Sequence, residues 1–323
     1  MAVRIGFVGC GGIANAHMRN LAKIEDAEMV AFSDIVEEKA EAAAEEYGGR
    51  AFATHEAMYD SVEMDAVYIC LPPFAHEDQE IMAAEAGMAI FVEKPIGLSM
   101  AKVREIEAAI ERAGVINCVG YHWRYHDTAR WAQEALEGET IAMVLGWWMG
   151  GLPGVAWWRV KEQSGGQIVE QTTHIVDMAR YLAGDVERVY AEMALRAMTD
   201  VENISVPDVG TVNLRFESGA VGNITNSCVP PGWRNGLCII GDRKTVVFDQ
   251  SNFELRTRAG SETKTFQPIS AHFRESEAFV QAVETGDQSL ILSDYSDGIE
   301  SLAVSLAANQ SADSGEPVML SDL

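Results

Sequence analysis

The sequence predicts an α/β domain, a parallel sheet with helices on both faces, followed by an α+β domain with a largely antiparallel, open-faced sheet. Three observations lead there. Short apolar strands alternate with polar-faced helices through the first third of the chain. A turn of three glycines within Gly9-Cys10-Gly11-Gly12-Ile13-Ala14 joins the first strand to the first helix. From Val186 to about Phe266, strand follows strand with Gly or Asp at the turns. A chain of 323 residues is comfortable for two domains, and the change of pattern sets them at 1–121 and 122–323.

The elements read in order as follows. Strand Val3–Val8 leads to helix Ile13–Ile24, and strand Met29–Ser33 to helix Glu37–Tyr47. A short strand Arg50–Ala53 precedes a small helix near Glu56–Tyr59. Strand Ala66–Leu71 ends in Pro72-Pro73 and is followed by helix Glu77–Ala86. Strand Ala89–Val92 runs into Glu93-Lys94-Pro95, then helix Met100–Ala113, and strand Val115–Gly120 closes the series. Beyond Arg124 come helix Asp127–Leu136, the apolar run Ile141–Met149, an irregular stretch Gly150–Gly166 and helix Val169–Leu182. Strands Val189–Arg196, Thr211–Phe216, Ala220–Ser227, Gly236–Ile240, Thr245–Asp249 and Phe253–Arg256 precede the closing helices Ala271–Glu284 and Tyr295–Gln310.

Composition excludes several classes. With 24 basic and 49 acidic residues the formal net charge is −25, so the basic footprint of a nucleic-acid binder is missing. No apolar run reaches the ~18–20 residues of a membrane span. The N-terminus enters the first strand directly, so no signal peptide is expected. Cys10, Cys70, Cys118, Cys228 and Cys238 are scattered and odd in number, as small core residues of a reduced cytoplasmic protein would be. No metal site is expected.

The glycine turn has mechanical content. Gly9 permits a tight turn, Gly11 lets backbone approach a pyrophosphate, and Ala14 allows the helix to pack closely on the strand. Phosphates would then meet Gly12 and Ile13 at the helix N-terminus, where N–H groups and the dipole favour an anion. A second apolar strand ends in Asp34, about 20 residues on, where a carboxylate can accept both ribose hydroxyls of an adenosine. NAD is therefore the expected cofactor. Ligands of such sheets bind outside the carboxyl ends of the strands. Gly9, Asp34, Leu71-Pro72-Pro73, Lys94 and Tyr121-His122 all fall there, and His76 and Trp123 lie near strand ends.

Five features in chain order carry a resemblance. They are the glycine turn, Asp34, Glu93-Lys94-Pro95, Gly120-Tyr121-His122-Trp123-Arg124-Tyr125, and Ser164-Gly165-Gly166 leading to Glu170 and His174. Together they resemble the Gfo/Idh/MocA family, which includes glucose–fructose oxidoreductase and inositol dehydrogenase. The resemblance spans nearly the whole chain, including the closing Gly315-Glu316-Pro317-Val318. It implies a Rossmann domain, an open-faced sheet domain, and NAD(P)-dependent redox chemistry at a sugar or polyol carbon. Lys94, Glu170 and His174 are the expected catalytic residues, with Tyr121, Arg124, Trp158, Arg159, Glu170 and His174 expected toward the substrate. Expected toward the cofactor are Gly9, Gly11, Gly12, Ile13, Asp34, Leu71, Pro72, His76, Glu93 and Lys94. Three positions depart from the family pattern: Glu170 replaces an aspartate, Gln167 a third glycine and Thr172 a glycine.

The residues also speak for themselves. Oxidising a secondary alcohol needs a group that takes the hydroxyl proton. A lone lysine ordinarily solvates a surface, but Lys94 stands at a strand end with proline after it. Glu170 and His174 at i, i+4 would project from one helix face, with Asp177 a step beyond to orient the imidazole. Trp157-Trp158-Arg159, in the irregular stretch, suits a ring stacking on a sugar and an arginine bonding its hydroxyls. Trp147 and Trp148 point to opposite faces of their strand, and core or interface filling is the plainer reading of that pair.

A redox-neutral glycosidase or lyase that retains NAD and oxidises its sugar transiently is the competing enzyme class. A cofactor-binding regulator is the third reading, and the presence of both Lys94 and His174 argues against it. Val189, Val212, Leu214 and Val221 are expected on an uncovered sheet face, which points to a homodimer or homotetramer.

Overall fold

The computed structural model describes residues 2–267 and 270–323. The chain divides into two compact units. The first comprises the chain up to His122 together with Ser270–Ile299; the second comprises the chain from Trp123 together with Glu300–Leu323. The sequence reading assigned everything after residue 121 to the second domain. Chain order alone does not show that a later helix returns to pack on the first.

The first unit contains β1 (Val3–Val8), α1 (Gly12–Leu21), β2 (Ala27–Ser33), α2 (Glu37–Tyr47) and β3 (Arg50–Phe52). Then follow α3 (His55–Ser61), β4 (Ala66–Ile69), α4 (Gln79–Glu85), β5 (Ala89–Val92), α5 (Met100–Ala113) and β6 (Asn117–Val119). Six parallel strands pair in the order β3-β2-β1-β4-β5-β6. Helices cover both faces of a parallel sheet, so its strands read as unbroken apolar runs. Every residue of β4 and β5 is buried. The core gathers Ile5, Phe7, Phe32, Tyr68 and Phe91 from the sheet, Met18 and Leu21 from α1, and Phe279 and Val280 from the returning segment. Capping divides the helices. Thr54 and Ser99 accept N–H bonds at the starts of α3 and α5, whereas α1 begins at Gly11 with no side-chain cap.

The second unit contains α6 (Asp127–Leu136), β7 (Ile141–Met149), α7 (Lys161–Ser164), α8 (Gln167–Glu170), α9 (Thr173–Ala183) and β8 (Val186–Ala194). It continues with β9 (Val209–Phe216), β10 (Val221–Ser227), β11 (Arg234–Gly241), β12 (Lys244–Phe248), β13 (Asn252–Thr257) and β14 (Gly260–Thr265). Helix α10 (Ala271–Thr285) belongs to the first unit; α11 (Tyr295–Ser314) begins there and ends in the second, before β15 (Val318–Met319). The nine strands run β14-β13-β12-β11-β7-β10-β9-β8-β15, antiparallel except at β7–β10. Alternate residues of β7, such as Val144 and Trp148, are buried. At Gly146 a Cβ would lie 2.5 Å from Ile175, so only glycine lets α9 settle on β7.

This packing corrects one expectation. Val189 and Val212 are fully buried and Leu214 nearly so, while Val221 alone of the four is exposed, at 38%. Alternation has two phases, and the docking of helices selects which one becomes the inner face. The strands thus present Met143, Leu145 and Trp147 outward, where burial drops.

His272 on α10 stacks on His122, ring centroids 3.8 Å apart. Burial pushes the His272 imidazole down to about 4, overcoming the charge of Glu93, which acts in the opposite direction. The unfolded chain therefore binds the extra proton between about 6.5 and 4, and stability falls as the pH drops through that window. Urea melts of wild type and His272→Gln should differ by an amount that changes by about 3 kcal/mol between pH 7 and pH 4. A difference independent of pH would overturn this account of acid lability.

Candidate active site

The parallel sheet reverses its winding between β1 and β4, and its carboxyl edge there is where such sheets bind ligands. Gly9 ends β1 with φ +87°, and a Cβ on it would sit 2.5 Å from the Cys70 carbonyl oxygen. Glycine is required on both counts. Asn15 braces the turn, its Nδ2 donating to the carbonyls of Cys10 and Gly11. Nothing lies within 4 Å of where a Cβ of Gly11 or Gly12 would be. The exposed Ile13 follows, and the uncapped N–H groups of α1 face this open space.

Asp34, just past β2, is half-buried and held on both oxygens. Cys10 N–H donates to Oδ2 at 2.8 Å and Val36 N–H to Oδ1 at 2.8 Å. The carboxylate is thereby placed beside the glycine turn with acceptor capacity remaining. An open cradle of N–H groups with a fixed acid beside it fits the pyrophosphate and adenosine ribose of NAD. Leu71 and Pro72 are half-buried after β4. His76 is buried, and its Nδ1 pairs with Glu80 on α4; Nε2 has no partner among the described residues.

Lys94, two residues past β5, is half-buried on the same sheet edge. Glu93 is buried. That residue is 3% exposed, its side chain turned inward to His17 of α1 with Oε1 and Nε2 2.7 Å apart. Glu93 was expected at the cofactor, and its carboxylate is occupied inside the unit. Tyr121, expected at the substrate, is 1% exposed.

In the second unit the expected helix Val169–Leu182 is interrupted. Gly165 and Gly166 turn the chain with φ of 70° and 79°, α8 ends at Glu170, and α9 starts at Thr173. The Thr172 N–H reaches back five residues to the Gln167 carbonyl, widening the turn. Glu170 and His174 therefore do not share one regular helix face. Glu170 is half-buried, and its Oε2 accepts the Trp158 indole N–H at 2.7 Å. Trp158, expected to stack on sugar, is instead 1% exposed, packed with Val206 and Cys228. Its contribution is to aim the glutamate. Arg159 is half-buried with Nε unpartnered among the described residues. His174 is buried beside Trp123 and Trp148, at centroid distances of 6.4 and 5.8 Å.

Arg124, expected toward the substrate, pairs inside the second unit. Its Nε and Nη2 grip Asp177 at 2.9 and 2.6 Å, both side chains are buried, and the guanidinium lies 4.7 Å above the Tyr181 ring. Asp177 accepts from Ser301 as well, so it is committed to this pair and not to the imidazole of His174. The Gln167 side chain, at the family's glycine position, receives Asn226 Nδ2 from β10 at 2.9 Å and donates to Gln171. Sequence reading missed the Trp158–Glu170, Gln167–Asn226 and His17–Glu93 bonds. The only available signal was polar residues at apolar positions of amphipathic elements. Arg124→Met should cost about 3–5 kcal/mol in urea unfolding because Asp177 is left buried and unpaired, and Arg124→Met/Asp177→Leu should recover most of it. Equal losses in both variants would refute the structural role.

Comparison with known proteins agrees with this architecture. Residues 3–121 match the family described as the Gfo/Idh/MocA oxidoreductase family with an NAD-binding Rossmann fold, and residues 119–247 match the Gfo/Idh/MocA C-terminal domain. The chain belongs to the Gfo/Idh/MocA family of oxidoreductases, and its first unit is an NAD-binding domain. It is 27% identical to the myo-inositol 2-dehydrogenase of Thermotoga maritima, over 99% of both chains. With the inositol 2-dehydrogenase of Rhizobium meliloti it shares 29% identity, over 96% of this chain and 97% of that one. The WlbA dehydrogenase of Bordetella pertussis, solved with NADH and UDP-GlcNAcA, superimposes with a TM-score of 0.84 at 27% identity over 99% of each chain.

Proposed function

We propose that this protein is an NAD-dependent dehydrogenase that oxidises a secondary alcohol of a cyclic polyol, sugar or sugar derivative. The observation that carries the reading is the carboxyl edge of the parallel sheet. There the uncapped helix behind Gly9–Gly12, the doubly held Asp34 and the half-buried Lys94 follow β1, β2 and β5 of one parallel sheet. Similarity to dehydrogenases named for inositol supports the substrate class. Bound NAD supplies the hydride acceptor. Lys94 is assigned the orientation of the hydroxyl and the stabilisation of developing alkoxide, as a cation does. His174 is assigned the base, since imidazole is the side chain suited to proton exchange near neutral pH. Glu170, aimed by Trp158, is assigned a hydrogen bond to another substrate hydroxyl. A panel of polyols, sugars and glycosides tests the class: NADH formed from free polyols or sugars supports it. Aglycone release without net NADH would replace it with the redox-neutral reading.

Asp34 accepts ribose hydroxyls but repels a 2′-phosphate, and Ile35 beside it is 96% exposed and carries no cation. NAD should be preferred over NADP by about 10-fold or more, since ~1.4 kcal/mol of repulsion suffices. Equal catalytic efficiency with the two cofactors would contradict the assignment, and Asp34→Ser/Ile35→Arg should shift the preference toward NADP.

His174→Asn should lower single-turnover oxidation by about 10²–10⁴ and flatten its rise with pH. Lys94→Ala should be at least as damaging while leaving NAD affinity within about 3-fold, because the lysine acts on substrate. An unchanged pH profile in the first variant, or near-normal turnover in the second, would show that the chemistry lies elsewhere.

The protein is further proposed to act in the cytoplasm as a homodimer or homotetramer. The outward residues Met143, Leu145, Trp147 and Val221 are the apolar surface that supports association. No helix among the described residues is long and apolar enough to cross a membrane. Light scattering at micromolar concentration should return a multiple of the chain mass, and Leu145→Glu/Val221→Glu should lower it. A monomeric wild type would end this part of the proposal.

A further inference from the structure

Beneath the exposed edge of the first unit lies a polar group that the redox chemistry does not use. His17 sits in the middle of α1 with no exposed surface, among Tyr68, Phe91 and His272, at ring distances of 5.3, 4.9 and 5.8 Å. Both of its ring nitrogens are engaged. Nε2 meets Glu93 Oε1 at 2.7 Å, and Nδ1 lies 3.4 Å from the hydroxyl of Ser276, itself fully buried on α10. The Glu93 carboxylate packs against Gly120. A Cβ on Gly120 would fall 2.9 Å from its Cδ and 3.0 Å from each oxygen. Gly120 has no positive φ, so space for this carboxylate is what a side chain there would take away.

Burial raises the Glu93 carboxyl, but the hydrogen bond and charge of His17, with the charges of Lys94 and His272, hold it below the usual carboxylate range. The backbone is pinned as well. Glu93 N–H bonds the Ile69 carbonyl at 2.9 Å, extending the β5–β4 ladder to the residue before Lys94. The chain bends at Lys94, directly after this anchored residue, so holding Glu93 in place fixes the point from which the Lys94 side chain leaves the sheet. A buried polar pair of this kind contributes little net stability, because desolvation offsets its attraction. Its value here lies in geometry.

We propose that His17 and Glu93 are positioning residues. The pair ties α1, whose N-terminus forms the anion cradle, to the end of β5, and so sets where the Lys94 amine stands. The inference rests on the assignment of Lys94 to the reacting hydroxyl.

The test uses the full chain and four variants: Glu93→Gln, the apolar pair His17→Leu/Glu93→Met, Lys94→Ala and Lys94→Ala/Glu93→Gln. The apolar pair guards against loss of fold, since buried ion pairs can be replaced by packed apolar residues without loss of stability. The first measurement needs no substrate. The rate of Lys94 acylation by acetic anhydride, mapped by mass spectrometry against Lys102 as internal reference, should change by about 5-fold or more in both Glu93 variants, with the NAD dissociation constant within about 3-fold. The second is single-turnover NADH formation with the best alcohol of the panel. Glu93→Gln should lose on the order of 10–10² in rate, and should add less than about 2-fold to the loss already caused by Lys94→Ala.

Unchanged Lys94 reactivity, or the same loss from Glu93→Gln with and without Lys94, overturns the positioning role while leaving the lysine assignment standing. Near-normal turnover by Lys94→Ala removes the lysine assignment and this inference with it.

Discussion

At Gly9 the chain turns with its α-carbon so close to the Cys70 carbonyl that a methyl group would lie 2.5 Å from the oxygen. The rest of the sheet edge depends on that approach. It lets β1 and β4 pair up to the turn, and it brings the Cys10 N–H onto Asp34. It also starts α1 without a capping side chain. An ordinary N-cap would satisfy the first N–H groups internally; here they remain for an anionic ligand. The same crowding shuts the neighbouring thiol away. Burial, with the charge of Asp34, pushes Cys10 up to about 12, which disfavours the thiolate.

Buried charge performs a comparable service in each unit. In the first, His17 and Glu93 join the cofactor helix to the strand that carries Lys94. In the second, Arg124 grips Asp177, Ser301 bridges Asp177 to Arg180, and Arg180 closes on Asp185. Asp177 lies one helical step beyond His174, so this network sets the rotation of α9 and with it the placement of the imidazole against Trp123 and Trp148. Removing one member of such a network costs far more than replacing all of it, because the remaining charge is stranded.

The departures from the family pattern acquire a physical reading. Gln167 is fully used, bonded to Asn226 of β10 and to Gln171, so it locks α8 to the sheet where glycine could not. Glu170 is longer than the aspartate of the pattern and is steadied by the Trp158 N–H. A longer acid on a locked turn delivers its carboxylate to a different point than a shorter acid would.

The amino-acid sequence by itself determined the parallel domain, the glycine turn, Asp34 and the strand-end position of Lys94. Those features depend on local composition: apolar runs of strand length, small residues where backbone must turn, and an acid at a fixed interval. Most helix limits followed from the same local rules, as at Asp127–Leu136 and Met100–Ala113. Tertiary structure alone decided what the polar side chains do. Arg124 finds Asp177 53 residues away, and His17 finds Glu93 76 residues away. No spacing rule encodes such pairs, because they are set by the docking of whole elements. Docking likewise chose which phase of the alternating strands became the inner face, interrupted the chain between Glu170 and Thr173, and returned α10 to the first unit. Period and propensity fix an element to within a rotation about its own axis, and only packing against its neighbours fixes the rotation.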